Sequence, residues 1–246
     1  MSFMNFVMGA DQTVYSTTTT RRFPFGTLLV TQDGRQYRYT ENGGTAIGTV
    51  TGGRVFQSSA PSANYDNQAV AAAAAVGDRS ITVTLGGAPA LDLFAGGYVA
   101  INDVDGEGYI YHVVSNTAAA SCVFTLEPPG IRVALTTSSE ANAVLNPFKD
   151  VVVHDSPPTA PAMGATPSAW AADVFGWGQT RGPASILTDG TVVVGAGVCA
   201  SDSVDGAVEH WANDADTAGE IEAMPVGKVM VVAADTEFST IWLQID

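Results

Sequence analysis

The sequence predicts an all-β protein: β-sandwich or barrel-like lobes with short helices and an extended N-terminal arm. Three observations carry the prediction. Hydrophobic residues make up 46% of the chain, but they are Ala and Val more than Leu, which disfavours long helices. The 26 glycines and 12 prolines are spread along the whole length and interrupt any long helical pattern. Apolar residues recur with a period of two, most strictly in Ser80-Ile81-Thr82-Val83-Thr84-Leu85, as a half-buried strand requires.

In chain order, residues 1–22 show no period, and Thr17 to Thr20 is a polar, β-prone run ending in Arg21-Arg22. This reads as an extended arm that needs a neighbour to order it. Phe23-Pro24-Phe25-Gly26 is a turn. Thr27 to Val30 and Gln36 to Tyr39 flank Gln32-Asp33-Gly34, a strong hairpin signal, and Glu41-Asn42-Gly43-Gly44 and Thr51-Gly52-Gly53 are further turns. The alanine-rich run from Ala69 to Val76 is either a linker or one short helix. Tyr98 to Ile101 and Tyr109 to Val114 form a second hairpin, Cys122 to Leu126 a strand stopped by Pro128-Pro129-Gly130, and Phe148 to His154 another strand. Pro157, Pro158, Pro161 and Pro167 mark a boundary near residue 160. The organisation expected is an arm at 1–22, a β-rich lobe at 23–160 and a smaller barrel-like lobe at 161–246.

The densest stretch is Phe175-Gly176-Trp177-Gly178-Gln179-Thr180-Arg181-Gly182-Pro183. Its alternation gives one large-residue face and one glycine face, and glycine lets another backbone come close. Phe175 and Trp177 are therefore assigned to the structural core of the second lobe. Gly182-Pro183 is expected to break this strand, and Thr188-Asp189-Gly190 to turn a later hairpin. A short helix near Glu209 to Asp214 and strands at Lys228 to Ala233 and Phe238 to Ile245 close the chain.

Charge narrows the function. The net charge is −15, and only Lys149 and Lys228 are lysine, which argues against nucleic acid as a partner because phosphate binding is driven by Lys and Arg. The balance is uneven. Residues 1–60 hold five arginines, Arg21, Arg22, Arg35, Arg38 and Arg54, against three acids, whereas residues 201–246 hold ten acids against Lys228. The five arginines are the candidate docking residues for an acidic partner, and the other end is expected to face water. Cys122 and Cys199 sit in apolar settings and read as small buried residues. No stretch of 18 apolar residues occurs and the start has no basic, signal-like region, so neither a membrane nor export is expected.

No motif points to catalysis or to a cofactor. Asp103-Val104-Asp105-Gly106-Glu107-Gly108 suggests a calcium loop, but placing Gly106 at its sixth position puts Ile101 first and His112 twelfth, so a hairpin tip is the better reading and weak calcium binding stays open. His112, His154 and His210 lack metal-ligand spacing. Glu220 with Glu222 is an acid pair of the kind a glycoside hydrolase uses, set in a stretch that reads more simply as a solvated face.

Taken in order, Phe25-Gly26-Thr27-Leu28 with Asp33-Gly34-Arg35-Gln36-Tyr37-Arg38-Tyr39, Gly96-Gly97-Tyr98 with Gly106-Glu107-Gly108-Tyr109, and the Phe175 to Pro183 stretch resemble the capsid cement or decoration proteins of tailed bacteriophages, of the marine or cyanobacterial type. The resemblance covers residues 23–246 and implies a non-enzymatic virion protein. Such a protein would be made in the host cytoplasm and bind the outer capsid surface, clamping neighbouring major capsid subunits as a homo-oligomer, a trimer before a dimer. A carbohydrate- or receptor-binding module on the virion is the alternative, and a glycan hydrolase a more distant one.

Overall fold

Glycine-rich turns between short β-branched and aromatic runs leave the backbone one general way to satisfy its N–H and C=O groups, which is pairing between strands. The computed structural model describes residues 6–9, 11–48, 52–211 and 225–246, and it is nearly all strand. Among these residues the helical content is one 3-10 turn at Asp11–Tyr15.

The chain divides into two compact units, one inserted into the other: Met1–Ala60 with Pro147–Asp246, and Pro61–Asn146. This differs from the division expected near residue 160. The proline-rich stretch lies inside the first unit, where Ser58 N–H donates to the Pro161 carbonyl (3.1 Å) and the strand that follows pairs back to residues 55–57.

The first unit begins with β1 (Phe6–Met8), β2 (Leu28–Val30), β3 (Gln36–Glu41) and β4 (Val55–Gln57). The inserted unit holds β5 (Gln68–Ala69), β6 (Ser80–Thr84), β7 (Tyr98–Asp103), β8 (Ile110–Asn116), β9 (Ser121–Leu126) and β10 (Glu140–Val144). The first unit resumes with β11 (Val152–Val153), β12 (Ala162–Ala165), β13 (Phe175–Leu187), β14 (Gly197–Ala200), β15 (Val208–His210), β16 (Gly227–Val231) and β17 (Phe238–Gln244).

In the inserted unit the sheet order is β5-β10-β7-β8-β9-β6, and a bridge from Val70 to Val83 joins the two ends into a nearly closed barrel. Closure explains why the alanine-rich run is not a helix: Val70 bridges Val83, Ala74 bridges Leu135, and both side chains are buried. The inward phase of the alternating strands fills the interior with Ile81, Val83, Val99, Ile101, Val113 and Phe124. Burying each such side chain contributes roughly 1.5–3 kcal/mol. Asn116, almost wholly buried, caps one end by accepting from the Phe94 N–H (2.8 Å) and donating to the Ala90 and Thr117 carbonyls.

In the first unit the path is β1-β2-β3-β13-β17-β16-β14-β15, with β4, β11 and β12 branching from it. The hairpin at Asp33-Gly34 forms as its sequence predicts, joining β2 and β3. β13 runs for thirteen residues and does not break at Gly182-Pro183. Its first half pairs with β3; a bulge between Gln179 and Arg181 and Gly182 at φ 90° absorb the irregularity, and the second half pairs with β17. Thr188-Asp189-Gly190 turns no hairpin, because the end of β13 already has β17 on one side and a bond from the Leu187 N–H to the Gly53 carbonyl (2.9 Å) on the other. Thr188 instead bridges Val208 in parallel.

The N-terminal segment is not a free arm from residue 6 onward. β1 pairs in parallel with β2, Val14 is fully buried, and Thr18 and Phe175 exchange two backbone hydrogen bonds (2.9 and 2.8 Å). What orders it is the chain's own β13, so no external neighbour is needed. The helix expected near Glu209 to Asp214 is absent over its first part, where Glu209 and His210 belong to β15 and Trp211 to no helix; residues 212–214, and likewise the acid pair Glu220 and Glu222, lie outside the described residues.

Candidate functional site

The two faces of β13 organise the first unit's aromatic residues. On the large-residue face, Trp177 is buried against Tyr37, Tyr39, Leu29 and Val14, with Phe23 and half-buried Phe175 packed on them. Trp177 is thus a core residue, as expected, but its core is built from residues 7–39 as much as from its own strand. The glycine face receives rings rather than backbone: a β-carbon at Gly176 would stand 2.8 Å from Trp170 Cζ2, and one at Gly178 would run into Phe56.

The five candidate docking arginines differ in what their side chains hold. Arg35 is ion-paired to Asp33 (2.7 Å) and lies 5.9 Å from the Tyr37 ring centre. A hydrogen bond from the Thr31 hydroxyl, with the Arg35 contacts, holds the Asp33 carboxyl down at about 2. Arg38 donates to the Asp246 carboxylate (2.6 Å) and to the Gly26 carbonyl (2.9 Å), and Arg54 to the Asp205 carbonyl (3.2 Å). These three staple the fold. Arg21 and Arg22 remain exposed. The Arg21 guanidinium stands 5.0 Å from the Phe25 ring centre, Phe25 is stacked on Phe175 (6.3 Å), and the Arg22 N–H donates to the Tyr39 hydroxyl (2.9 Å). Beside this corner burial pushes the Glu41 carboxyl above its ordinary range; Asp150 and Asp173 add to the rise, while Lys149 and Arg21 oppose it.

The structure also brings together a row that the sequence reading missed. Directly opposite positions run Pro183, Trp242, Lys228, Gly197 across β13, β17, β16 and β14, and the Trp211 N–H continues the row by donating to the Gly197 carbonyl (3.0 Å). Directly opposite residues share a face. Both indoles are exposed, Trp211 at 40% and Trp242 at 41%, and Lys228 between them is exposed. Gly197 provides a shelf: the Trp211 ring lies where a side chain would be, with Cε3 3.1 Å from the absent β-carbon.

The loop at Asp103 to Gly108 is a hairpin tip, with Asp105 accepting from the Thr136 hydroxyl (2.9 Å) and Gly106 and Gly108 at positive φ. Among the described residues no three His, Cys, Asp or Glu are grouped so as to hold a metal ion, and no helix is long and apolar enough to cross a membrane. His154 is 1% exposed, and its Nδ1 has no hydrogen-bond partner. Burial lowers its pKa, with Asp155 and Asp205 opposing the shift. Cys122 and Cys199 are both buried free thiols.

No family model matches the chain, and no curated protein or solved structure matches it significantly. The surfaces themselves carry the functional argument.

Proposed function

We propose that the chain is a non-catalytic structural protein of a tailed-phage virion that binds the outer capsid surface and holds neighbouring major capsid subunits together, as a homo-oligomer. The observation that carries this reading is the corner formed by Arg21, Arg22, Phe25 and Phe175. The exposed Arg21 guanidinium stands beside the partly exposed Phe25 ring, with exposed Arg22 next in sequence, and the rings of Phe25 and Phe175 are anchored on buried Trp177 and Tyr39. A cation fixed on a rigid aromatic base loses little freedom on docking, and it can meet both the acidic and the apolar parts of a shell surface. The resemblance in the glycine and aromatic pattern supplies the partner; the geometry supports an interaction role.

Co-sedimentation of the purified protein with emptied capsids of the phage that encodes it tests this. The intact chain pellets with the capsids, and Arg21→Glu with Arg22→Glu does not; both side chains are exposed, and an unchanged melting temperature of the variant separates lost docking from lost fold. Pelleting by neither protein removes the capsid reading; equal pelleting by both moves the docking surface elsewhere.

A further inference from the structure

The row of Trp211, Lys228 and Trp242 stands apart from the Arg21 corner, and its chemistry is different. In a chain of net charge −15, the outward positions of the second half of β13, of β17 and of β16 carry no acid: they are Arg181, Pro183 and Ser185, then Phe238, Thr240, Trp242 and Gln244, then Lys228, Met230 and Val231. Lys228 has no ion pair among the described residues. On the neighbouring β15, Glu209 is opposite Cys199 and one step along from Trp211, and past the end of β17 Asp246 is held by Arg38. Burial pushes the Glu209 carboxyl above its ordinary range, with Asp202 and Asp189 adding to the rise. Along β13, β17 and β16 the face is therefore cationic and aromatic within an acidic molecule.

The spacing is informative. Neighbouring strands are about 4.8 Å apart, and the Trp211 ring is folded onto Gly197, two strands from Trp242, so the two indoles are separated by roughly 10 Å with the ammonium between them. The Trp211 side chain lies over Gly197 and leaves 40% of its surface to solvent. A flat ring face is covered well by another flat, weakly polar face. The C–H face of a pyranose ring has that shape, while its rim of hydroxyls finds partners in groups such as Thr240 and Gln244.

From this we infer that the outer face of β17, β16 and β14 is a binding site for an anionic saccharide. Two sugar rings stack on Trp211 and Trp242, and Lys228 pairs with a carboxylate or sulfate carried between them. The inference stands on this sheet face alone and does not depend on docking to a capsid. Charge complementarity selects the occupant. A second copy of this face would bring Lys228 and Arg181 against themselves, and a neutral glycan would leave the central ammonium without a partner.

Titration with an oligogalacturonate, and in parallel with its methyl ester as the uncharged counterpart, tests the site by calorimetry and tryptophan fluorescence. The acid form is expected to bind saturably and to perturb the exposed indoles, with the ester at least about tenfold weaker. Trp211→Ala and Trp242→Ala each weaken binding about tenfold, the scale of one lost aromatic contact. Lys228→Gln reduces the acid form to the affinity of the ester. All three positions are exposed, so unchanged melting of the variants separates lost binding from lost fold. Equal affinity for acid and ester, binding indifferent to the three substitutions, or no saturable binding of either form would overturn the inference. Binding of an acidic peptide in place of both sugars would overturn it as well and assign the face to a protein.

Discussion

Gly178→Ala is the sharpest test of how the first unit is packed. A β-carbon there would overlap Phe56 Cζ and stand 2.6 Å from Phe56 Cε1, whereas two carbons in contact sit about 3.5–4.0 Å apart. Phe56 has nowhere to go. It is fully buried, its ring is 5.7 Å from that of Trp170, and it already fills the space above Gly164, whose absent β-carbon is 2.7 Å from the same Cζ. Overpacking of this kind costs about 1–3 kcal/mol, or roughly 2–4 °C of melting temperature per kcal/mol in a domain of this size. Equilibrium unfolding in urea followed by tryptophan fluorescence is a clean assay, because all four tryptophans (170, 177, 211 and 242) lie in the first unit and none in the inserted one. Pairing the change with Phe56→Leu, which trims the ring, should recover at least about 0.5 kcal/mol relative to the sum of the single effects. If Gly178→Ala unfolds at the same urea concentration as the parent, or if the two changes simply add, the glycine face does not exist to seat Phe56.

Trp177→Ala should cost about 3–5 kcal/mol in the same assay, since the ring is buried against Tyr37, Tyr39 and Val14; a loss below about 1 kcal/mol would place Trp177 outside the core. His154 makes a signed prediction about pH. Its folded pKa lies below the ordinary 6.5, so the unfolded chain takes up a proton that the folded chain refuses, and stability falls as pH drops below 6.5. Glu41 and Glu209, both raised, act in the opposite sense: their contribution is present below the ordinary 4.5 and is lost as pH rises through their folded values. His154→Gln isolates the first effect. Unfolding free energies of parent and variant should converge as pH falls from about 7.5 to about 5, and a constant difference between them would show that His154 does not titrate with folding.

Strands with one buried face were legible in the sequence because each carries its own alternation. β6, the β7–β8 hairpin, β9 and the β2–β3 hairpin all follow from local residues, and so does the burial of Trp177. What failed depended on partners distant in sequence. Gly182-Pro183 reads as a break until β17, more than fifty residues later, is there to take over the pairing. The alanine-rich run reads as a linker or a short helix until Val83 and Leu135 are placed opposite it. The N-terminal segment shows no period because its anchors are single residues, Val14 in a core and Thr18 on β13, and not a face. The boundary was misplaced for a related reason: prolines mark turns inside a unit as readily as the gaps between units.

The charge count shows why the saccharide-binding face escaped a reading by segments. Ten acids against one lysine in residues 201–246 suggest a uniformly acidic end, yet a strand sends alternate residues to opposite faces, and acids in the intervening loops say nothing about either face. In β17 the apolar phase is Ile241 and Leu243, both fully buried, and Trp242 stands in the other phase with Thr240 and Gln244. A tryptophan out of phase with its strand's core is a signal that can be read from sequence alone, and it marks Trp242. Nothing comparable marks Trp211. Its shelf, Gly197, lies on another strand, and only the pairing of that strand through Lys228 to Trp242 turns two separate indoles and one ammonium into a row. The fold makes this site by register, so shifting β16 by one residue would turn Lys228 inward and leave the two indoles without their cation.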